Sequence, residues 1–205
     1  MKTEIIKIKG DWEEVVNDCR STVNKPPLGH EPSDQFKESL LISEHSPIRD
    51  IIIKWRWAGI KSWIATHWVR HKWECFVRTQ RSDRTGIPRD DLPQGAEVEF
   101  TGEANVQALI DTMRKRLCYQ AAPETRQYAE SLKAEIRQRD PHIAKVLVPN
   151  CVYRGGCPEQ KSCREWHNFL IWVNSQHIDI ARNMESIALR YDLYQQYLEE
   201  RKQQK

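Results

Sequence analysis

The chain has 205 residues, with 32 basic and 29 acidic side chains, a net charge of +3 and 30% charged residues. A mean hydropathy of −0.74 goes with a wet surface. That length suits one large domain or two small ones and is enough to bury a core. The near balance of charge excludes a polycation or polyanion, so an anion site has to come from local clustering.

From the N-terminus, Met1 to Ile6 lacks the apolar core of an export signal, and no stretch approaches a membrane span of about 20 apolar residues. A cytoplasmic protein is expected. Ile5, Ile6 and Ile8 mark a first strand over 3–8. Asp11 can cap a short helix that runs through Val16 to Cys19. Residues 24–35, with Pro26-Pro27-Leu28-Gly29, read as loop. Glu38–Ile42 reads as a short helix or strand. Ile48–Trp57 is rich in β-branched and aromatic residues and reads as a strand that Gly59 breaks. A helix over 60–72 follows, on the spacing of Ile60, Trp63, Ile64 and Trp68.

Of the eight tryptophans, Trp55, Trp57, Trp63 and Trp68 lie within fourteen residues. Rings at that density serve a core, a subunit interface or a platform for a planar ligand, with core or interface as the default. The predicted helix leads into Arg70-His71-Lys72, a strand-like Cys75-Phe76-Val77 and then Thr79-Gln80-Arg81. On a helix, His67, Arg70 and His71 share one face. Cations in a last helical turn favour the macrodipole by about 0.3–1 kcal/mol each, but this concentration also suits an anion.

Residues 82–96 form a long polar loop, either solvated or a lid. Amphipathic helices follow at Val106–Leu117, from Pro123 through Tyr128, Leu132 and Ile136, and from Pro141 to Lys145. Residues 150–163 are turn-rich, and Gly155-Gly156 beside Arg154 reads as a turn rather than an anion nest. Helices over Arg164–Val173 and from Ile178 to the end close the chain. Strands precede helices, which argues for an α+β fold: a single domain over 1–205 with a mixed or antiparallel sheet flanked by helices.

Of the six cysteines, Cys151, Cys157 and Cys163 sit near His167. Their spacing exceeds that of zinc knuckles. Reduced thiols and no metal are expected.

These segments resemble the flavin-dependent thymidylate synthases. Arg70-His71-Lys72 stands for that family's Arg-His-Arg. Thr79-Gln80-Arg81 stands for its Ser-x-Arg, one residue early. Ala144-Lys145-Val146-Leu147-Val148-Pro149 resembles its Ala-Arg-x-x-Leu-Pro. Arg164-Glu165-Trp166-His167-Asn168-Phe169-Leu170 resembles its Asn-Ala-Arg-Glu-Leu-x-x-Phe-Leu helix. The resemblance spans roughly 1–185 in order. It implies a homotetramer that binds FAD and dUMP where subunits meet, with methylenetetrahydrofolate and NADPH as co-substrates and dTMP as product. By similarity Arg70, His71, Lys72, Arg164 and Asn168 face FAD. His67, Arg70, Thr79, Gln80, Arg81 and Lys145 face the pyrimidine nucleotide. No covalent catalytic residue is assigned.

Several positions depart from the pattern. Lys72 and Lys145 replace arginines, keeping charge but losing a bidentate fork. The family's Glu-His before the motif is Arg49-Asp50, and Val173 stands where an Arg is expected to polarise the N3 side of the pyrimidine. Arg182 and Arg190 are candidate substitutes. The alternatives are a one-carbon modification of another nucleotide such as dCMP, hydroxymethylation, or a family member that binds nucleotide or flavin without turnover. A single-strand nucleic-acid module, stacking bases on the tryptophans beside Arg70, Lys72, Arg78 and Arg81, is a further reading. The near-neutral charge counts against it, and no nucleic-acid partner is expected.

Overall fold

Alternation of buried and exposed side chains builds the sheet. The structure is a computed structural model and describes residues 2–179 and 184–203. The four strands are β1 (Lys2–Lys9), β2 (Ile52–Lys61), β3 (Glu74–Val77) and β4 (Glu97–Asn105). They stand in the order β1-β2-β4-β3, with every pair antiparallel. The α+β expectation therefore holds, with a purely antiparallel sheet. Ile53, Trp55, Trp57 and Ile60 of β2 face Val98, Phe100 and Ala104 of β4, all buried. Gly102 lies directly opposite Trp55. A Cβ there would come within 2.3 Å of the Trp55 ring, so the indole occupies the space that any other residue would need.

Several elements differ from their sequence expectation. Ile48 belongs to a 3₁₀ turn, Ser46–Asp50, that Pro47 starts, and the strand begins only at Ile52. Gly59, at φ +69°, does not end β2. It sits in a bulge between Trp57 and Ile60, and pairing resumes through Ile60↔Val98 to Lys61. The expected helix over 60–72 shrinks to α3, Ser62–Ala65. Beyond it the chain winds through turns closed by His67 N–H to Ile64 O (3.0 Å) and Trp68 N–H to Ala65 O (2.9 Å). The apolar stripe is buried as expected, but β4 holds Ile60 in the sheet, so His67, Arg70 and His71 do not share a helix face. β4 falls in a stretch to which the sequence reading assigns no element. The polar loop before it holds two short pieces, α4 (Ser82–Thr85) and a 3₁₀ turn (Arg89–Asp91).

The remaining helices are α1 (Trp12–Ser21), α2 (Asp34–Ile42), α5 (Val106–Arg116), α6 (Pro123–Arg139), α7 (Pro141–Val146), α8 (Asn150–Arg154), α9 (Glu165–Ser175) and α10 (Ile187–Gln203). Asp11 caps α1 as expected, accepting from Glu14 N–H at 2.9 Å. Ser33 caps α2, which settles Glu38–Ile42 as helix. α8 arises within the turn-rich stretch, and Gly155 ends it at φ +69°. α6 packs on the sheet, with Tyr128 edge-on to Trp57 at 5.3 Å. Among the described residues, no helix is long and apolar enough to cross a membrane.

Candidate functional site

The tryptophans form the wall behind the motif. Trp55, Trp57 and Trp68 are fully buried. Trp68 stacks on Trp73 at 5.8 Å, and Trp73 meets Trp55 edge-on at 5.0 Å. The Trp73 indole N–H donates to Trp68 O at 2.9 Å, which pins the turn carrying Arg70, His71 and Lys72 against the core. These rings fill the core rather than offer a platform.

That turn lines a cleft of about 740 Å³, within the usual range of ligand pockets of about 300–1,000 Å³. Arg70, His71 and Lys72 form one side. Arg49, Lys115 and Arg154 come from the turn before β2, from α5 and from α8. Among the described residues, no ion pair neutralises these arginines and lysines. Arg114 is committed instead, bound to Glu44 and lying 3.4 Å over the Tyr153 ring. Asp111, the acid of the cleft, is 3.4 Å from Arg114. The concentration of cations comes from clustering, as the overall charge requires.

His71 is a neutral ring here. Burial, and then Arg116 and Lys115, push its pKa down to about 4. Arg116 Nε donates to His71 Nε2 at 2.8 Å, so the ring proton sits on Nδ1. The same guanidinium donates to His67 O at 2.6 Å, joining two motif residues that the lost helix would have joined. The His67 ring meets Thr125 Oγ1 at 2.7 Å, and burial followed by Arg116 and Arg70 lowers its pKa.

The other expected residues lie apart from this cleft. Thr79 and Arg81 are exposed beyond β3. Arg81 is held by Asp83 through bonds of 3.0 and 2.8 Å, and Gln80 is half-buried. Lys145 joins Glu38 at 2.9 Å and Asp192 at 2.7 Å. Arg164 is an exposed residue at φ +66° before α9, and Asn168 is exposed on that helix. Val173 lies wholly in the core. Arg190 is buried and spends its donors on carbonyls: Val152 at 2.9 Å, Tyr153 at 2.7 Å, and Met184. It therefore caps backbone carbonyls. Arg182 lies outside the described residues. All six thiols are free. Among the described residues, no group of three or more His, Cys, Asp or Glu is arranged to hold a metal ion.

The sequence reading missed Lys115 and Arg116. Their signal is the run Arg114-Lys115-Arg116 ending α5.

Known proteins point one way. The family model described as thymidylate synthase complementing protein matches residues 86–142, which cover β4, α5 and all of α6. A flavin-dependent thymidylate synthase from Clostridium tetani is 31% identical over 68 residues, 33% of this chain; the match spans only 27% of that relative's length. The crystal structure of the UMP/dUMP methylase PolB from Streptomyces cacaoi, bound with 5-Br dUMP, superposes with a TM-score of 0.58 at 14% identity, covering 71% of this chain and 93% of that one. The flavin-dependent thymidylate synthase ThyX from Helicobacter pylori, complexed with FAD and dUMP, gives 0.60 at 10% identity, covering 72% and 100%. The fold is theirs, and the family resemblance read from the sequence is borne out.

Proposed function

We propose, on the premise that this chain is a divergent member of the flavin-dependent thymidylate synthase family, that it is a single-domain cytoplasmic enzyme over residues 1–205 that uses FAD to methylate C5 of a pyrimidine nucleotide, dUMP to dTMP. The observation that carries this reading is Arg70-His71-Lys72 on the wall of a cleft where, among the described residues, Arg49, Arg70, Lys72, Lys115 and Arg154 have no carboxylate partner and Arg114 is paired. Such a donor set fits a pyrophosphate: Arg70 offers a planar fork and Lys72 a point charge. His71, neutral and accepting from Arg116, holds the turn in place without adding further charge repulsion. FAD, when bound, supplies hydride chemistry, with methylenetetrahydrofolate as one-carbon donor and NADPH as reductant. This chain's own residues orient the ligands and shape the field around them.

Arg164 and Asn168 complete the flavin site in this reading, and His67, Arg70, Thr79, Gln80, Arg81 and Lys145 bind the nucleotide. Arg164 and Asn168 are exposed and outside the cleft lining, so in this reading a neighbouring copy in a homotetramer has to bring them to it. Lys145 has to leave Glu38 or Asp192 to take part.

A second reading rests on Val173. Its burial and the full engagement of Arg190 leave no described arginine at the family's N3-side position. Loss of one such donor costs about 2.7–4 kcal/mol in transition-state stabilisation. That favours another product, such as a modified dCMP or a hydroxymethylated base, or binding without turnover. The test is the absorbance spectrum of the purified protein, followed by dUMP and dCMP titration and mass spectrometry of products formed with methylenetetrahydrofolate and NADPH. Yellow protein forming dTMP supports the first reading. Flavin binding with another product, or with none, supports the second. A colourless protein that takes up no FAD overturns both.

A further inference from the structure

A second cavity, of about 510 Å³, opens between α6 and α10, and its lining shares no residue with the Arg70 cleft. Leu117, Ala134, Pro149 and Leu198 give it an apolar wall. Two of its arginines are already matched: Arg126 with Glu130 at 3.2 Å, and Arg201 with the buried Glu165 at 3.1 Å. Lys133 and Lys202 are not, and Arg137 is held more loosely, by Glu199 at 3.7 Å. Among the described residues, neither Lys133 nor Lys202 has a carboxylate partner. Lys133 Nζ donates to Leu147 O at 2.6 Å and has no other protein acceptor among those residues.

These cations work against one another. Burial, then Arg137 and Lys202, press the Lys133 amine down to about 7. An anion among them would turn mutual repulsion into attraction and restore the lysine's charge. The volume suits a small metabolite rather than a lone ion.

We propose that this cavity binds a small organic anion, its carboxylate or phosphate held by Lys133, Arg137 and Lys202 and its apolar body resting on Leu117, Pro149 and Leu198. The site is independent of the flavin reading.

The test uses the whole chain with benzoate, phenyl phosphate, inorganic phosphate and neutral benzyl alcohol. Benzoate or phenyl phosphate should raise the melting temperature in a saturable way, and benzyl alcohol should not. In the same samples, acetic anhydride labelling at pH 7, mapped by mass spectrometry, should mark Lys133 ahead of surface lysines, which are only about 0.04% neutral there. The bound anion should slow that labelling several-fold. Lys133→Met should abolish the anion-dependent shift. Lys202→Ala, at an exposed helix end, should weaken it about tenfold while the protein stays folded. Inorganic phosphate acting as strongly as phenyl phosphate overturns the organic ligand. Labelling of Lys133 that no anion slows, or equal anion effects in wild type and Lys133→Met, overturns the site.

Discussion

Arg116→Met should detach the motif turn from α5 and let His71 take up a proton. The guanidinium makes two bonds, to His71 Nε2 at 2.8 Å and His67 O at 2.6 Å. Hydrogen bonds to charged groups contribute about 1.5–3 kcal/mol each. Against that, Arg116 is itself desolvated and repelled by Arg70, both of which lower its pKa, and the methionine relieves these penalties. A net loss of ~2–3 kcal/mol follows. The pH dependence gives a second readout. Folded His71 titrates at about 4, against 6.5 for the unperturbed ring. Between those values the unfolded chain binds a proton that the folded ring refuses, so stability falls as pH drops through that window. Unscreened, the shift is worth about 3 kcal/mol, and partial exposure of the ring reduces it to ~1–2 kcal/mol. In Arg116→Met the His71 pKa should rise yet stay below 6.5, because burial, the leading cause, remains. The acid loss should then shrink. Urea melts between pH 4 and 8, with imidazole NMR titration, measure both. An unchanged His71 titration together with stability within about 0.5 kcal/mol of wild type would refute the argument.

Gly102→Ala should destabilise by ~1–3 kcal/mol in denaturant melts, because its methyl group meets the Trp55 ring in the middle of the sheet. Val173→Arg should not create a working nucleotide site. It buries an unpaired charge and should cost ~3–5 kcal/mol, so a stable variant with faster dTMP formation would contradict the core placement. Glu38 is held below the ordinary carboxylate range, first by its hydrogen bond to Lys145. Its contribution is therefore present above the unfolded carboxylate pKa and lost as pH falls through the lower folded value. Glu38→Gln should flatten the acid limb of a stability–pH curve and cost ~1 kcal/mol at neutral pH, and an unaltered limb would count against the pair.

What could be read in advance follows the range of the interactions. α1, α5 and α6 carry local signals, a capping Asp11, a 3.6-residue stripe and Pro123, and all three form close to where those signals place them. The stripe from Ile60 to Trp68 predicts burial correctly and geometry wrongly, because Ile60 pairs with Val98, a contact that helical spacing cannot report. β4 does alternate, with Val98, Phe100 and Ala104 inward, but Gly102 and a glutamate-rich outer face blur the pattern. Arg70-His71-Lys72 stood out as a local cluster. Arg114-Lys115-Arg116 lies in a last helical turn, where basic residues are common and carry no special signal. Only the folded chain sends the first to Glu44, the second to the cleft and the third to His71.

The packing of indoles behind the motif has an optical consequence. With Trp55, Trp68 and Trp73 so close together, and the His71 ring 5.2 Å from Trp73, excitation absorbed anywhere in the group can migrate to the ring beside the turn. A chromophore settling there should dim the emission of the whole set. Loosening of the turn should alter near-ultraviolet dichroism before the sheet melts. The molecule thus carries an intrinsic gauge of whether its motif is occupied and in place.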